Sequence, residues 1–260
     1  MPWGSATSAR LKRLFLEGFS VMDIAEPLVS FDADRPAVGV ASLLAGHGFD
    51  LVGVRIDGLV AGFARREELV GGLLGDYGHP FGPDDLVDES ASLQEAIQSL
   101  GLNGRCFVTI LGQVGAIITH SDLEKPPVRM FLFGMITILE TYLTRTIRAA
   151  FPEGSLDGLV SPGRLAKAQA LRSERARRSV VVDLLDCLQF SDKGQLFVKI
   201  PGVMEQLAPA DIPSKSAALQ AFRELETLRN NLAHAQEIVP TSWQRIVRFT
   251  LNLEKLLQIV

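Results

Sequence analysis

At 260 residues the chain exceeds the common single-domain size, so two domains of roughly 100 to 150 residues are expected, a single large α/β domain being the alternative. With 47% hydrophobic and 22% charged residues it carries enough apolar material for packed cores, which excludes a disordered chain and points to a soluble globular class. The net charge of −4 hides an asymmetry: residues 1–125 hold 9 Lys+Arg against 17 Asp+Glu, whereas 126–260 hold 17 against 13, so an acidic half is joined to a basic one.

The amino terminus, MPWGSATSARLKRLF, lacks the apolar core and cleavage site of a secretory signal. The longest uncharged apolar run, Met130 to Leu139, is about half of a membrane span. A cytoplasmic protein with no membrane segment is therefore expected. Cys106 and Cys187 have neither CxxC spacing nor flanking histidines, so no zinc site and no disulfide framework is expected.

Residues 1–18 read as an N-terminal extension. Between 19 and 125, alternating apolar strands mix with short helical patterns, and one order occurs twice. The first copy, PAVGVASLLAGHGFDLVGVRIDGLVAGFARREEL, reads as a helix, the strand DLVGVRI, a turn at Asp57-Gly58, the strand LVAGFA and a new helix start. The second, SLQEAIQSLGLNGRCFVTILGQVGAIITHSDL, repeats this with RCFVTIL and VGAII around Gly112-Gln113. Aligning Glu68-Leu69 with Asp122-Leu123 gives a period near 54 residues.

The second copy closes on AIITHSD, Ala116 to Asp122, a small-apolar-apolar-Ser/Thr-x-x-Asp run. On this run and the repeat around it, residues 19–125 resemble a tandem pair of CBS domains, the cystathionine β-synthase module. The resemblance implies an α+β fold of β-α-β-β-α repeats, with clefts for an adenine nucleotide or related adenosyl ligand. It also implies ligand-binding roles for Ala116, Thr119 and Asp122: Asp122 on ribose hydroxyls, Thr119 on phosphate or backbone. In the first copy Arg65 stands at the Thr position and Glu68 at the Asp position, so that cleft is degenerate, either empty or suited to a different anion. A threonine followed three residues later by an acid is equally a helix capping box, and both readings stay open. His47, His79 and His120 read as loop or surface residues.

Pro126-Pro127 marks a boundary, after which the period becomes 3.6 and an all-α bundle of about five helices is expected over 126–260. A helix near 127–150, apolar nearly all round, carries Glu140, which lies on a solvated strip or meets a cation such as an arginine. Next comes RLAKAQALRSERARR, with six Lys/Arg against one acid. It is a solvated face or a track for RNA phosphates, in which case Arg164, Lys167, Arg172, Arg175 and Arg178 are the candidates. VVVDLLDCLQF reads as a buried helix broken by SDKG, and IPGVMEQL as a short turn or helix. Ser214 or a neighbour caps a helix through ALQAFRELETLRNNLAHA. TSWQRIVRFTLNLEKLLQIV reads as a last helix with Trp243, Val247, Thr250, Leu253 and Leu257 on one stripe.

Near the end of the penultimate helix stands LRNNLAH, Leu228 to His234. On a helical wheel with Leu225 at zero, Arg229 falls at about 40°, beside the core face, while Asn230 and His234 fall at about 140° and 180°. The segment resembles the Arg-polar-x(3 to 5)-His element of HEPN domains, the higher eukaryote and prokaryote nucleotide-binding helical bundles. That resemblance implies metal-independent endoribonuclease chemistry, with no cofactor required and products ending in a 2′,3′-cyclic phosphate and a 5′-hydroxyl. His234 would move protons, Arg229 would stabilise the phosphorane, Asn230 would orient either group and Glu140 would partner Arg229. Because Arg229 and His234 diverge on a straight helix, the site would be composite in a homodimer. The bland alternative is a surface histidine beside a helix-end arginine. Two functions are thus expected of the whole chain: a nucleotide-sensing ribonuclease, or a non-catalytic ligand-binding regulator or scaffold whose helical half dimerises or docks a partner.

Overall fold

A computed structural model of the protein describes residues 13–15, 17–151, 156, 158–208, 212–234 and 236. They divide into two compact units, one of residues 17–128 and one of the described residues from 129 onward together with 13–15.

In the first unit the alternating apolar pattern becomes two four-stranded sheets. The strands are β1 (Glu26–Pro27), β2 (Ser30–Asp32), β3 (Leu51–Ile56), β4 (Leu59–Arg65), β5 (His79–Pro80), β6 (Leu86–Asp88), β7 (Arg105–Ile110) and β8 (Gln113–Thr119). Helix α1 (Ala37–His47) crosses from β2 to the parallel β3, and α2 (Leu93–Asn103) does the same from β6 to β7. Each crossover strand then turns back in an antiparallel hairpin, β3–β4 and β7–β8. The sheet orders are β2-β3-β4-β5 and β1-β8-β7-β6, so the short edge strand preceding each repeat pairs with the hairpin of the other.

The 54-residue period is visible down to irregularities. The register shifts at Val54/Arg55 in one hairpin and at Val108/Thr109 in the other. Asp57-Gly58 turns the first hairpin with φ of 51° and 82°, and Leu111-Gly112 turns the second with φ of 50° and 78°. Two successive left-handed residues match the twist of the flanking strands. The second turn is thus one residue earlier than the expected Gly112-Gln113, because glycine takes the second left-handed place in both. The last element of each repeat is a single 3-10 turn, Arg66–Glu68 and His120–Glu124, rather than the expected α-helix. Between the hairpins Phe63, Phe107, Val114 and Ile117 form a core against which Leu28, Phe81 and Leu86 pack.

The second unit holds most of α3 (Pro126–Ala150), with α4 (Pro162–Arg177), α5 (Phe190–Phe197), α6 (Val203–Leu207) and α7 (Lys215–Ala233). Ser214 caps α7 by accepting from the Ala217 N–H. The segment VVVDLLDCLQF is not the expected helix: Leu185–Cys187 is a 3-10 turn, and the helix begins at Phe190, so SDKG lies inside it. The Asp192 carboxylate accepts from the Gln189 N–H and starts α5, while the Asp183 carboxylate accepts from Leu185 N–H and holds the turn before it. Gly194 then allows close approach of α7, since a Cβ there would lie 2.5 Å from Phe222 Cγ. Helix α3 is 25 residues long and apolar enough to cross a membrane by length and composition, with half of that window buried inside the protein; the core helix of a soluble protein passes the same test. The expected last helix, with its stripe from Trp243 to Leu257, lies outside the described residues.

Candidate functional site

The hairpins end at the register pairs Leu51–Arg65 and Arg105–Thr119. A cavity of about 650 Å³ opens there, within the usual range for small-molecule sites. Its wall is drawn from both repeats at the same positions. Asp50 and Leu51 of the first correspond to Gly104 and Arg105 of the second, and Arg65, Arg66 and Glu67 correspond to Thr119, His120 and Ser121. Every pair is one 54-residue period apart, as expected where a local two-fold relation between the repeats passes through the cavity.

The polar furniture differs between the sides. The first repeat brings Arg65 and Arg66, with Asp50 bound to Arg66 Nη2 at 2.8 Å. The second brings Arg105 and the hydroxyls of Thr119 and Ser121, 2.8 Å apart. Arg105 is held over the Phe63 ring at 4.2 Å and faces Asp85 at 3.6 Å. Burial pulls its pKa down, Asp85 opposes that, and the charge of Arg65 adds to it. Burial likewise holds the His120 imidazole below its ordinary value. The Nε atoms of Arg66 and Arg105 are buried without a hydrogen-bond partner. Guanidinium groups beside hydroxyls suit an oxyanion.

Of the residues expected to bind ligand, Thr119 lines this cavity, whereas Ala116 and Asp122 are buried in the hairpin and the turn beyond it. Asp122 Oδ2 accepts from the backbone N–H and the hydroxyl of Thr119 at 2.7 and 3.0 Å, and its Oδ1 meets Lys125 Nζ at 2.9 Å. Lys125 also binds Glu26 and the Ile24 carbonyl, so the acid acts here as the capping box that was its alternative reading. At the equivalent place in the first repeat, Glu68 instead meets His79, whose Nε2 lies 2.7 Å from its carboxylate. The hydrogen bond from His79 is the main cause that holds its carboxyl below the ordinary value.

In the helical unit Glu140 does meet cations. Its Oε1 accepts from Lys193 Nζ at 2.7 Å, and its Oε2 lies 3.8 Å from Arg229 Nε. Lys193 is buried, Arg229 half-buried, and Asn230 and His234 exposed, with His234 as the C-cap residue of α7. Sequence reasoning missed Lys193, which sits in a stretch read as a helix breaker. It also missed Arg129, whose guanidinium donates to the carbonyls of Asn231, Leu232 and Gln236 and so closes the end of α7.

On α4, Lys167 and Arg172 are exposed and Arg175 is half-buried. Arg164 is bound to Gln189 and lies 3.5 Å from Asp192, and Arg178 pairs with Glu174 at 2.7 Å. Arg164 and Arg178 thus have partners within the chain, and the charge of Arg172 acts on Asp183.

No protein-family model matches the sequence, and no curated protein matches it. Among solved structures, the CBS domain of a bacterial CNNM/CorC family Mg2+ transporter in complex with ATP is similar at 16% identity over 46% of this chain and 94% of that one, with a TM-score of 0.38. CBSX2 in complex with AMP is similar at 20% identity over 41% and 93%, with a TM-score of 0.36. The CBS-pair protein CBSX2 from Arabidopsis thaliana is similar at 18% identity over 40% and 91%, with a TM-score of 0.35.

Proposed function

We propose that residues 17–128 bind a phosphate-bearing adenosyl ligand, in the simplest case an adenine nucleotide, and that the protein is a cytoplasmic regulator whose helical unit dimerises or docks a partner. The observation that carries this reading is the cavity walled by five equivalent positions of each repeat and supplied with three guanidinium groups and two hydroxyls. A guanidinium fork donates two parallel hydrogen bonds to phosphate, and hydroxyls rotate to serve either a phosphate or a ribose oxygen. The adenosyl part rests on the likeness of AIITHSD to the CBS signature, Thr119 being the residue common to the signature and the cavity. In this reading Asp122 and Glu68 shape the hairpin ends and do not hold ribose. A ligand regulates the protein only by binding its arrangements unequally.

Calorimetry on the whole protein with ATP, ADP, AMP and S-adenosylmethionine tests this. Binding of at least one, weakened by Arg105→Ala and by Thr119→Ala, is the expected result. Failure of all four to bind removes the reading.

A second reading is supported by the approach of Glu140 to Arg229: the helical unit cleaves RNA in a homodimer, with His234 moving protons, Asn230 orienting the phosphate and the basic residues of α4 guiding the strand. Incubation with single-stranded and structured RNA in EDTA tests it. Cleavage lost in both Arg229→Ala and His234→Ala is expected, and cleavage indifferent to His234→Ala overturns it.

A further inference from the structure

One guanidinium of the cavity is paired with an anion that itself lines the cavity. Arg66 donates from Nη2 to Asp50 Oδ1 at 2.8 Å, and its backbone N–H donates to the Asp50 carbonyl at 2.8 Å. Both residues line the cavity. The second repeat has no such pair, because Gly104 stands at the position of Asp50 and His120 at that of Arg66.

The contact is also incomplete. Asp50 reaches a single nitrogen of the fork, while Arg66 Nε is buried without a partner. The Asp50 side chain is 86% exposed and that of Arg66 41%, so water competes for both groups and the pair is readily exchanged. A terminal phosphate offers three strong acceptor oxygens and more negative charge than a carboxylate.

We propose that Asp50 is a built-in competitor for the ligand, holding on Arg66 the place that a phosphate takes, so that binding exchanges one carboxylate for one phosphate. This rests on the reading of the cavity as a phosphate site. Once displaced, the carboxylate remains beside the phosphates and repels them, more strongly for a triphosphate than for a monophosphate. Asp50 therefore lowers affinity and narrows the preference for the more highly charged ligand.

The test is calorimetric titration of the whole protein with ATP and with AMP, using wild type, Asp50→Asn, Asp50→Glu, Arg66→Gln and the Asp50→Asn/Arg66→Gln double variant. Asp50→Asn is expected to tighten ATP binding by roughly two- to fivefold, the span of an exposed ion pair, with a smaller gain for AMP. Asp50→Glu keeps the charge and should stay near wild type. In the Arg66→Gln background there is no pair to displace and only the direct repulsion is left, so Asp50→Asn should gain clearly less than it does in the wild-type background. The inference is overturned if Asp50→Asn leaves ATP affinity unchanged or lowers it, or if its gain is undiminished without Arg66. The cavity still stands as a phosphate site in either case, provided Arg105→Ala weakens binding. If neither wild type nor Asp50→Asn binds ATP or AMP, the cavity reading itself falls, and this one with it.

Discussion

The Arg105 guanidinium rests 4.2 Å from the centroid of the Phe63 ring, so a cation on the cavity wall also seals the aromatic cluster between the two hairpins. The two tasks separate by substitution. Arg105→Ala should weaken nucleotide binding at least about tenfold, since hydrogen bonds to charged groups are worth about 1.5–3 kcal/mol. It should also lower stability by about 1 kcal/mol through loss of the stack. Arg105→Lys keeps the charge without the planar fork, so it should retain more stability than affinity. Calorimetry beside urea unfolding reads both.

The Glu68–His79 contact ties the edge strand β5 to the turn after β4. Because the folded state lowers the Glu68 pKa, chiefly through the His79 hydrogen bond, its contribution is present above the ordinary carboxylate value and is lost as pH falls through the lowered one. Wild type should therefore lose more stability than His79→Ala on acidification from about pH 5 to about pH 3. Urea midpoints measured across that range check the sign, and parallel curves would contradict it.

Lys193 and Glu140 form an ion pair in which the lysine side chain is only 5% exposed. Lys193→Ala leaves the partly buried carboxylate without its main partner and should cost about 3 kcal/mol or more in the helical unit. Replacing both by apolar residues of similar size, Lys193→Met with Glu140→Leu, should recover most of that loss. Denaturant unfolding of the wild type, Lys193→Ala and the double variant decides it.

A methyl group at Gly194 would press on the Phe222 ring, with Cβ to Cβ at 2.8 Å as well as the close approach to Cγ. Since α5 and α7 meet there, Gly194→Ala should destabilise the helical unit by about 1–3 kcal/mol despite the better helix propensity of alanine. An unchanged melting temperature would mean that the two helices part without cost.

Arg129 closes α7 by meeting carbonyls that the helix leaves unpaired at its end. Arg129→Ala should raise amide hydrogen exchange over 228–234 while leaving the start of α7, capped by Ser214, unaffected. Uniform exchange along the helix would show that the cap acts on the whole bundle.

The repeat was legible because its signal is local. Alternation in DLVGVRI and RCFVTIL, with glycine where a left-handed turn requires it, specifies two similar hairpins wherever the chain places them. The start of α5 was misread for an equally local reason: a side-chain hydrogen bond from Gln189 N–H to Asp192 outweighed the apolar run that precedes it. The Glu140 alternatives could not be separated in the sequence, since the deciding partner, Lys193, is 53 residues away.

The sequence by itself determined the 54-residue period, the paired hairpins and the change to helical periodicity near Pro126, all consequences of side-chain alternation and backbone sterics within a few residues. Only the tertiary structure decided that Arg65, Arg66 and Arg105 share one cavity, that Asp122 is held as a cap and that Arg129 ends α7. Those relations depend on which strand ends the packing of Phe63 against Phe107 brings face to face, and on which helix end lies within reach of a long side chain. Neither distance is encoded in any short stretch of residues.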